Sequence, residues 1–144
     1  MITVNSFHEI CQNIVDAIHI DGHIVVSTEE QATKKLKDKA NIRLVAVYPN
    51  YNFTGERDNE LIKHELLFFM VSKQNEGASE KNEQKQYSDT QDAIFKLQDY
   101  LFGNEDHSGK YCELFPNIDV ESVSIEPQYN IFGGYLGWSL VVEC

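Results

Sequence analysis

One run of large apolar residues outweighs every other in the chain: Leu66-Leu67-Phe68-Phe69-Met70-Val71, inside the segment Leu61–Lys73. In a strand, successive side chains point to opposite faces of a sheet. Leu67, Phe69 and Val71 then share one face, and Leu66, Phe68 and Met70 share the other. Both faces demand cover. Asn41–Tyr48 carries Ile42, Leu44, Val45, Ala46 and Val47 and stops at Pro49, which predicts a second strand. A polar loop over Asn50–Asn59 separates the two, so an antiparallel hairpin is the expected arrangement.

Elsewhere the apolar spacing is helical. Phe7, Ile10, Cys11, Ile14, Val15 and Ile18 draw one stripe, predicting a helix over about Phe7–His19. Ser6-Phe7-His8-Glu9 reads as its capping box, and Asp21-Gly22 as its stop. Ala93, Ile94, Leu97 and Leu101 predict a helix over about Asp89–Phe102, with Ser88-Asp89-Thr90-Gln91 as capping box and Gly103 at the C-cap. A shorter helix over Glu29–Lys37, capped by Ser27 or Thr28, has acids at its start and lysines at its end. With only Ala32 and Leu36 apolar, it is expected on the surface.

His23–Val26 predicts a short strand. Gln74–Tyr87 contains almost nothing apolar and reads as a mobile loop. Asn104–Gly109 is turn-rich, and Tyr111–Phe115 is a short extended piece. Ile118–Glu126 alternates with a slip that a bulge near Ser122 would absorb. Pro127–Phe132 connects, Gly133-Gly134 turns, and Tyr135–Glu143 closes the chain as a strand. On that strand Leu136, Trp138, Leu140 and Val142 face one way, and Tyr135, Gly137, Ser139, Val141 and Glu143 the other. The order implies an α+β fold in one domain spanning residues 1–144, with mobile loops at about 49–60 and 74–87. Its sheet is antiparallel or mixed, of roughly four to five strands, with the two main helices packed on one face.

Composition narrows the function. The 144 residues carry 23 acidic against 12 basic side chains, a formal net charge of −11. That argues against binding the outside of nucleic acid or an anionic membrane. No apolar run spans a bilayer, and Met1-Ile2-Thr3-Val4-Asn5 lacks a signal-peptide pattern, so a cytoplasmic protein is expected. Cys11, Cys112 and Cys144 are odd in number and far apart, against a disulfide framework or a zinc knuckle.

Candidate chemistry is sparse. His19, Asp21 and His23 form an HxDxH pattern of possible ligands, but Gly22 and the change from helix to strand splay them, and no metal is expected. Cys11 sits on the helical stripe and reads as a buried thiol. Cys112 near His107 lacks a nucleophile elbow, His64 reads as a strand end, and Gly133-Gly134 precedes a strand rather than a phosphate-cradling helix. No catalytic or cofactor-binding set emerges.

The uncovered apolar face is therefore the main functional signal. Two helices cover one face of the sheet, and a large open apolar face marks an interaction surface. Leu66, Phe68 and Met70, with Tyr135 and Val141 of the last strand, are the residues expected to meet a partner. The alternative cover is the short helix and the long loops.

The order of helix, strands, β-hairpin, helix and two closing strands resembles the tail terminator and head–tail completion proteins of long-tailed bacteriophages. The matching pieces are Phe7–His19, Arg43–Tyr48 with Leu61–Lys73, Asp89–Phe102, Ile118–Glu126 and Tyr135–Glu143, together with the ending Gly134-Tyr135-Leu136-Gly137-Trp138-Ser139-Leu140. The resemblance implies a non-enzymatic subunit that forms a homo-oligomeric, hexamer-type ring and meets other phage tail or head proteins. It would be made in the cytoplasm and end in the virion. The competing expectation is a small acidic binding module, of immunity or adaptor type, that masks a basic protein.

Overall fold

A computed structural model describes residues 2–37, 39–54, 61–75, 77, 79–102 and 119–144. The elements are α1 (Val4–Ile18), β1 (His23–Val26), α2 (Glu29–Leu36), β2 (Arg43–Val47), β3 (Asn52–Thr54), β4 (Leu61–Lys63), β5 (Glu65–Lys73), α3 (Glu80–Phe102), β6 (Asp119–Ile131) and β7 (Tyr135–Glu143). Five strands form one sheet in the order β1-β2-β5-β7-β6, and β3 with β4 forms a separate two-stranded sheet. β1 runs parallel to β2, while β2–β5, β5–β7 and β6–β7 are antiparallel. The fold is α+β with a mixed sheet. β1, α2 and β2 make a parallel unit whose crossover is the short helix.

β5 is the middle strand, which explains its two apolar faces. Leu66, Phe68 and Met70 point into a core with Leu44, Ala46, Leu140 and Val142. That core is roofed by Phe7, Ile10, Cys11, Ile14, Val15 and Ile18 of α1 and by Ala93, Ile94, Leu97 and Leu101 of α3. The helical stripe of α1 is thus buried as its spacing predicts. On the opposite face Ala32 and Leu36 of α2 pack with Ile24, Val26, Val45, Val71, Phe132 and Tyr135. The Tyr135 hydroxyl lies within hydrogen-bond reach of the Leu36 and Lys39 carbonyls and ties α2 to β7.

Several expected boundaries move, each for a local reason. α1 starts at Val4 because the capping box is Thr3 with Ser6, not Ser6 with Glu9: Ser6 N–H donates to Thr3 Oγ1 at 3.1 Å, and Thr3 N–H to Ser6 Oγ at 2.9 Å. It ends at His19, which takes the left-handed conformation (φ 59°) one turn before Gly22. α3 starts at Glu80, so most of the segment expected as a loop over 74–87 is helix. Ser79 caps it, accepting from Asn82 N–H, and Lys85 pairs with Asp89 one turn on. Ser88-Asp89-Thr90-Gln91 is helix interior, where the Thr90 hydroxyl bonds back to the Gln86 carbonyl at 2.7 Å. β6 runs on through Pro127 to Ile131, and the expected bulge falls between Asp119 and Ser124. The expectations for Gly103, Asn104–Gly109, Tyr111–Phe115, Ile118 and the Cys112–His107 pair lie outside the described residues.

Gly137 lets β5 and β7 approach. A Cβ built there would lie 2.0 Å from the Met70 carbonyl oxygen. The contact is backbone in a central pair of strands, so no side chain can give way. Gly137→Ala is expected to destabilise the fold by about 3 kcal/mol, the upper range for overpacking. Chemical denaturation checks this, and a midpoint equal to that of the parent chain would contradict it.

Candidate functional site

The two faces of the sheet are covered unequally. α1 and α3 provide 15 and 23 residues of helix over one face, and α2 provides 8 over the other. On the second face α2 reaches β1 and β2, and the β6–β7 turn folds Phe132 back edge-on against Phe69, with ring centroids 5.0 Å apart. Between these covers lies a groove of about 340 Å³. Val47, Leu67 and Phe69 line its floor, all half-buried. Ser27, Thr28 and Glu29 at the start of α2 form one wall, and Gln128, Ile131 and Phe132 the other.

This geometry corrects the expected partner surface. Leu66, Phe68 and Met70 are fully buried under α1 and α3 and cannot meet a partner. Tyr135 is buried against α2. Of the five residues expected there, only Val141 is half-exposed. It pairs with Leu67 across β5–β7, on the same face as Phe69. The available residues are thus the other phase of the same strand. Alternation identifies the two sets but not which one the longer helices cover.

No family model, curated protein or solved structure matches the chain.

The HxDxH pattern does not converge. His19 caps α1, the Asp21 carbonyl accepts from Arg43 Nη1 at 2.6 Å, and His23 lies on β1. Among the described residues no three His, Cys, Asp or Glu side chains are placed to share a metal ion. His19 and Asp21 instead line a polar cleft of about 550 Å³ with Asn41, Lys73, Lys85 and Gln86. Gln86 closes part of it, donating to Ser72 Oγ at 3.2 Å and to the Lys73 carbonyl at 2.7 Å. Both described cysteines are buried. Burial pushes the Cys11 thiol up to about 12 and the Cys144 thiol up to about 11, so neither is a nucleophile near neutral pH.

His64 plays a structural part that its place at a strand start conceals. It is buried, with Nδ1 2.7 Å from the Asn50 carbonyl and Nε2 3.4 Å from the Ile2 N–H. Nδ1–H donates to that carbonyl, and Nε2 accepts from the Ile2 N–H. Its backbone exchanges two hydrogen bonds with Cys144, and the Tyr51 ring packs edge-on at 4.9 Å. His64 therefore joins three segments: its ring meets Ile2 and Asn50–Tyr51, and its backbone pairs with Cys144. The sequence signal was weak: a lone histidine beside charged neighbours.

The environment of His23 bears on stability at mildly acidic pH. Burial, and then the neighbouring His8, hold its pKa below the ordinary 6.5, with Asp16 opposing in part. The unfolded chain therefore takes up this proton more readily than the folded one. The His23 contribution to stability is complete above about pH 6.5 and is lost as pH falls below it. Thermal melts at descending pH are expected to fall less steeply for His23→Gln than for the parent chain. Parallel curves would show that other groups carry the acid sensitivity.

Proposed function

We propose that this chain is a non-enzymatic assembly subunit that associates with its own copies into a ring, in the manner of a phage or prophage tail terminator or head–tail connector. The observation that carries the reading is the incomplete cover of the second sheet face. Leu67, Phe69, Val47 and Val141 form a contiguous apolar surface in the middle of a folded sheet. A fold that leaves such a surface half-exposed next to a central strand gains by burying it against another protein. Other phage head or tail proteins would be the further partners.

The chemistry of the remaining candidates supports an assembly role over catalysis. The described thiols are buried, and His19, Asp21 and His23 serve as a helix end, a carbonyl acceptor and a strand residue. The net charge of −11 suits a ring through which DNA passes without adhering. That charge also favours a second reading, a small acidic module that masks one basic protein. A persistent monomer that binds a basic protein one-to-one would favour the module, and rings of uniform size in electron micrographs would favour the connector.

Two neighbouring phenylalanines separate folding from association. Phe68→Asp places a carboxylate in the core under α1 and α3 and is expected to cost about 4 kcal/mol or more, leaving little folded protein. Phe69→Asp is expected to keep the fold and abolish association. Circular dichroism reports the first property and light scattering on a sizing column the second. A parent chain that stays monomeric at every concentration would sink the ring reading.

A further inference from the structure

We propose that the β6–β7 turn is a lid on the second sheet face, with Phe132 as a plug that a strained backbone holds over Phe69 and that swings out when the turn relaxes. The proposal concerns the chain by itself and does not depend on the association reading.

The strain sits on one residue. Gly134 N–H donates to the Ile131 carbonyl at 3.1 Å, and Phe132 and Gly133 between them both have positive φ, 53° and 80°. Two positive φ values at the central positions mark a type I′ turn, which favours Asn, Asp or Gly at the first of them. Asn130 is also left-handed (φ 52°), but asparagine tolerates that region, and glycine pays no steric cost there. Phe132 has neither licence. Its Cβ crowds the following carbonyl, and a bulky side chain at positive φ is a genuine outlier. Such a conformation persists only where the surrounding packing over-determines it, and it concentrates at clamps and switch regions.

What opposes the strain is the place of the ring. Turn residues ordinarily stand in water, yet Phe132 is only 6% exposed. Its ring meets Phe69 edge-on, with the planes at 86°. It shares a cluster with Ala32 and Leu36 of α2 and with Val45, Val71 and Tyr135. Thr33 of α2 stands beside the same turn, since a Cβ built at Gly133 would lie 3.0 Å from Thr33 Cγ2. The strand ends are held without the ring: Ile131 pairs with Tyr135, and Gln74 N–H donates to the Gly134 carbonyl at 2.8 Å. The turn can therefore give up the burial of one ring, and release its strain, without unpairing β7 from β5. Backbone strain and ring burial oppose each other on a single residue, which makes two arrangements competitive. When Phe132 swings out, the groove of about 340 Å³ loses that wall, and Phe69 is bared.

Lid movements fall in the microsecond-to-millisecond range, so nuclear magnetic resonance relaxation dispersion on the parent chain reads this one. Exchange is expected at the Gly133 and Gly134 amides and, at the same rate, on the Phe69 and Phe132 rings. Leu97 and Leu140, buried in the other core, are expected to give flat profiles. Phe132→Asn supplies a residue that the turn favours and removes the plug, so exchange at the two glycines is expected to be lost. Phe132→Asp serves the same comparison should the Asn variant not fold, and circular dichroism melts establish which variant is folded. Flat profiles on the Phe69 and Phe132 rings of the parent chain overturn the proposal, whatever the variants do. Glycine exchange that persists unchanged in a folded variant overturns it as well, because the motion then owes nothing to Phe132.

Discussion

Everything in this fold answers to one constraint: β5 is apolar on both faces and lies between two other strands. A strand so placed cannot turn either face to water without cost, since each large apolar side chain left exposed forfeits roughly 1.5–3 kcal/mol. The chain meets the constraint unequally. α1 and α3 seal the Leu66–Phe68–Met70 face completely. The other face receives a helix of two turns, a tyrosine that clamps that helix, and an aromatic residue folded back from a hairpin turn. The β5–β7 contact at Gly137 sits at the centre of this arrangement, because it brings the closing strand close enough to share both layers.

What could be read in the sequence was whatever depends on local period. The stripe of α1, the two phases of β5 and β7, and the need for a bulge in β6 all follow from spacing, and all recur in the structure. What could not be read was whatever depends on polar anchoring. The first two turns of α3 have almost no apolar residues and so no apolar period. They are held by Gln86 bonding to Ser72 and Lys73, by the Tyr87 hydroxyl on the Gln128 carbonyl, and by the Trp138 indole N–H on the Tyr87 carbonyl. Each of those bonds joins residues distant in sequence, so no local pattern announces them. Glu, Lys and Gln are good helix formers, and propensity was the better guide there than apolar spacing.

The candidate site shows the same division. Alternation along β5 sorted its side chains correctly into two sets and left their assignment open, because both sets are equally apolar. Only the placement of helices decides between them, and that is a tertiary fact. His19, Asp21 and His23 are close in sequence, and the change from helix to strand that was expected to splay them does so: a left-handed residue at His19 and the entry into β1 carry them to a helix end, a turn and a strand. His64, unremarkable in sequence, proved the more consequential histidine because three distant segments meet on its ring and backbone.

The acidity of the chain bears on how such a subunit could assemble at all. Between like-charged copies the long-range force is repulsive and is screened within about 8 Å at physiological ionic strength. A contact that forms despite this must be apolar at its centre and must keep carboxylates from facing each other at its edge. A self-complementary two-fold pairing of the second sheet face would set Glu29 and Glu126 of one copy near those of the other. A head-to-tail contact avoids this, because the surface that approaches the acidic wall is a different one. On the proposed ring reading, the charge balance that argues against nucleic-acid binding therefore also favours a contact that keeps the acidic wall of one copy away from that of the next.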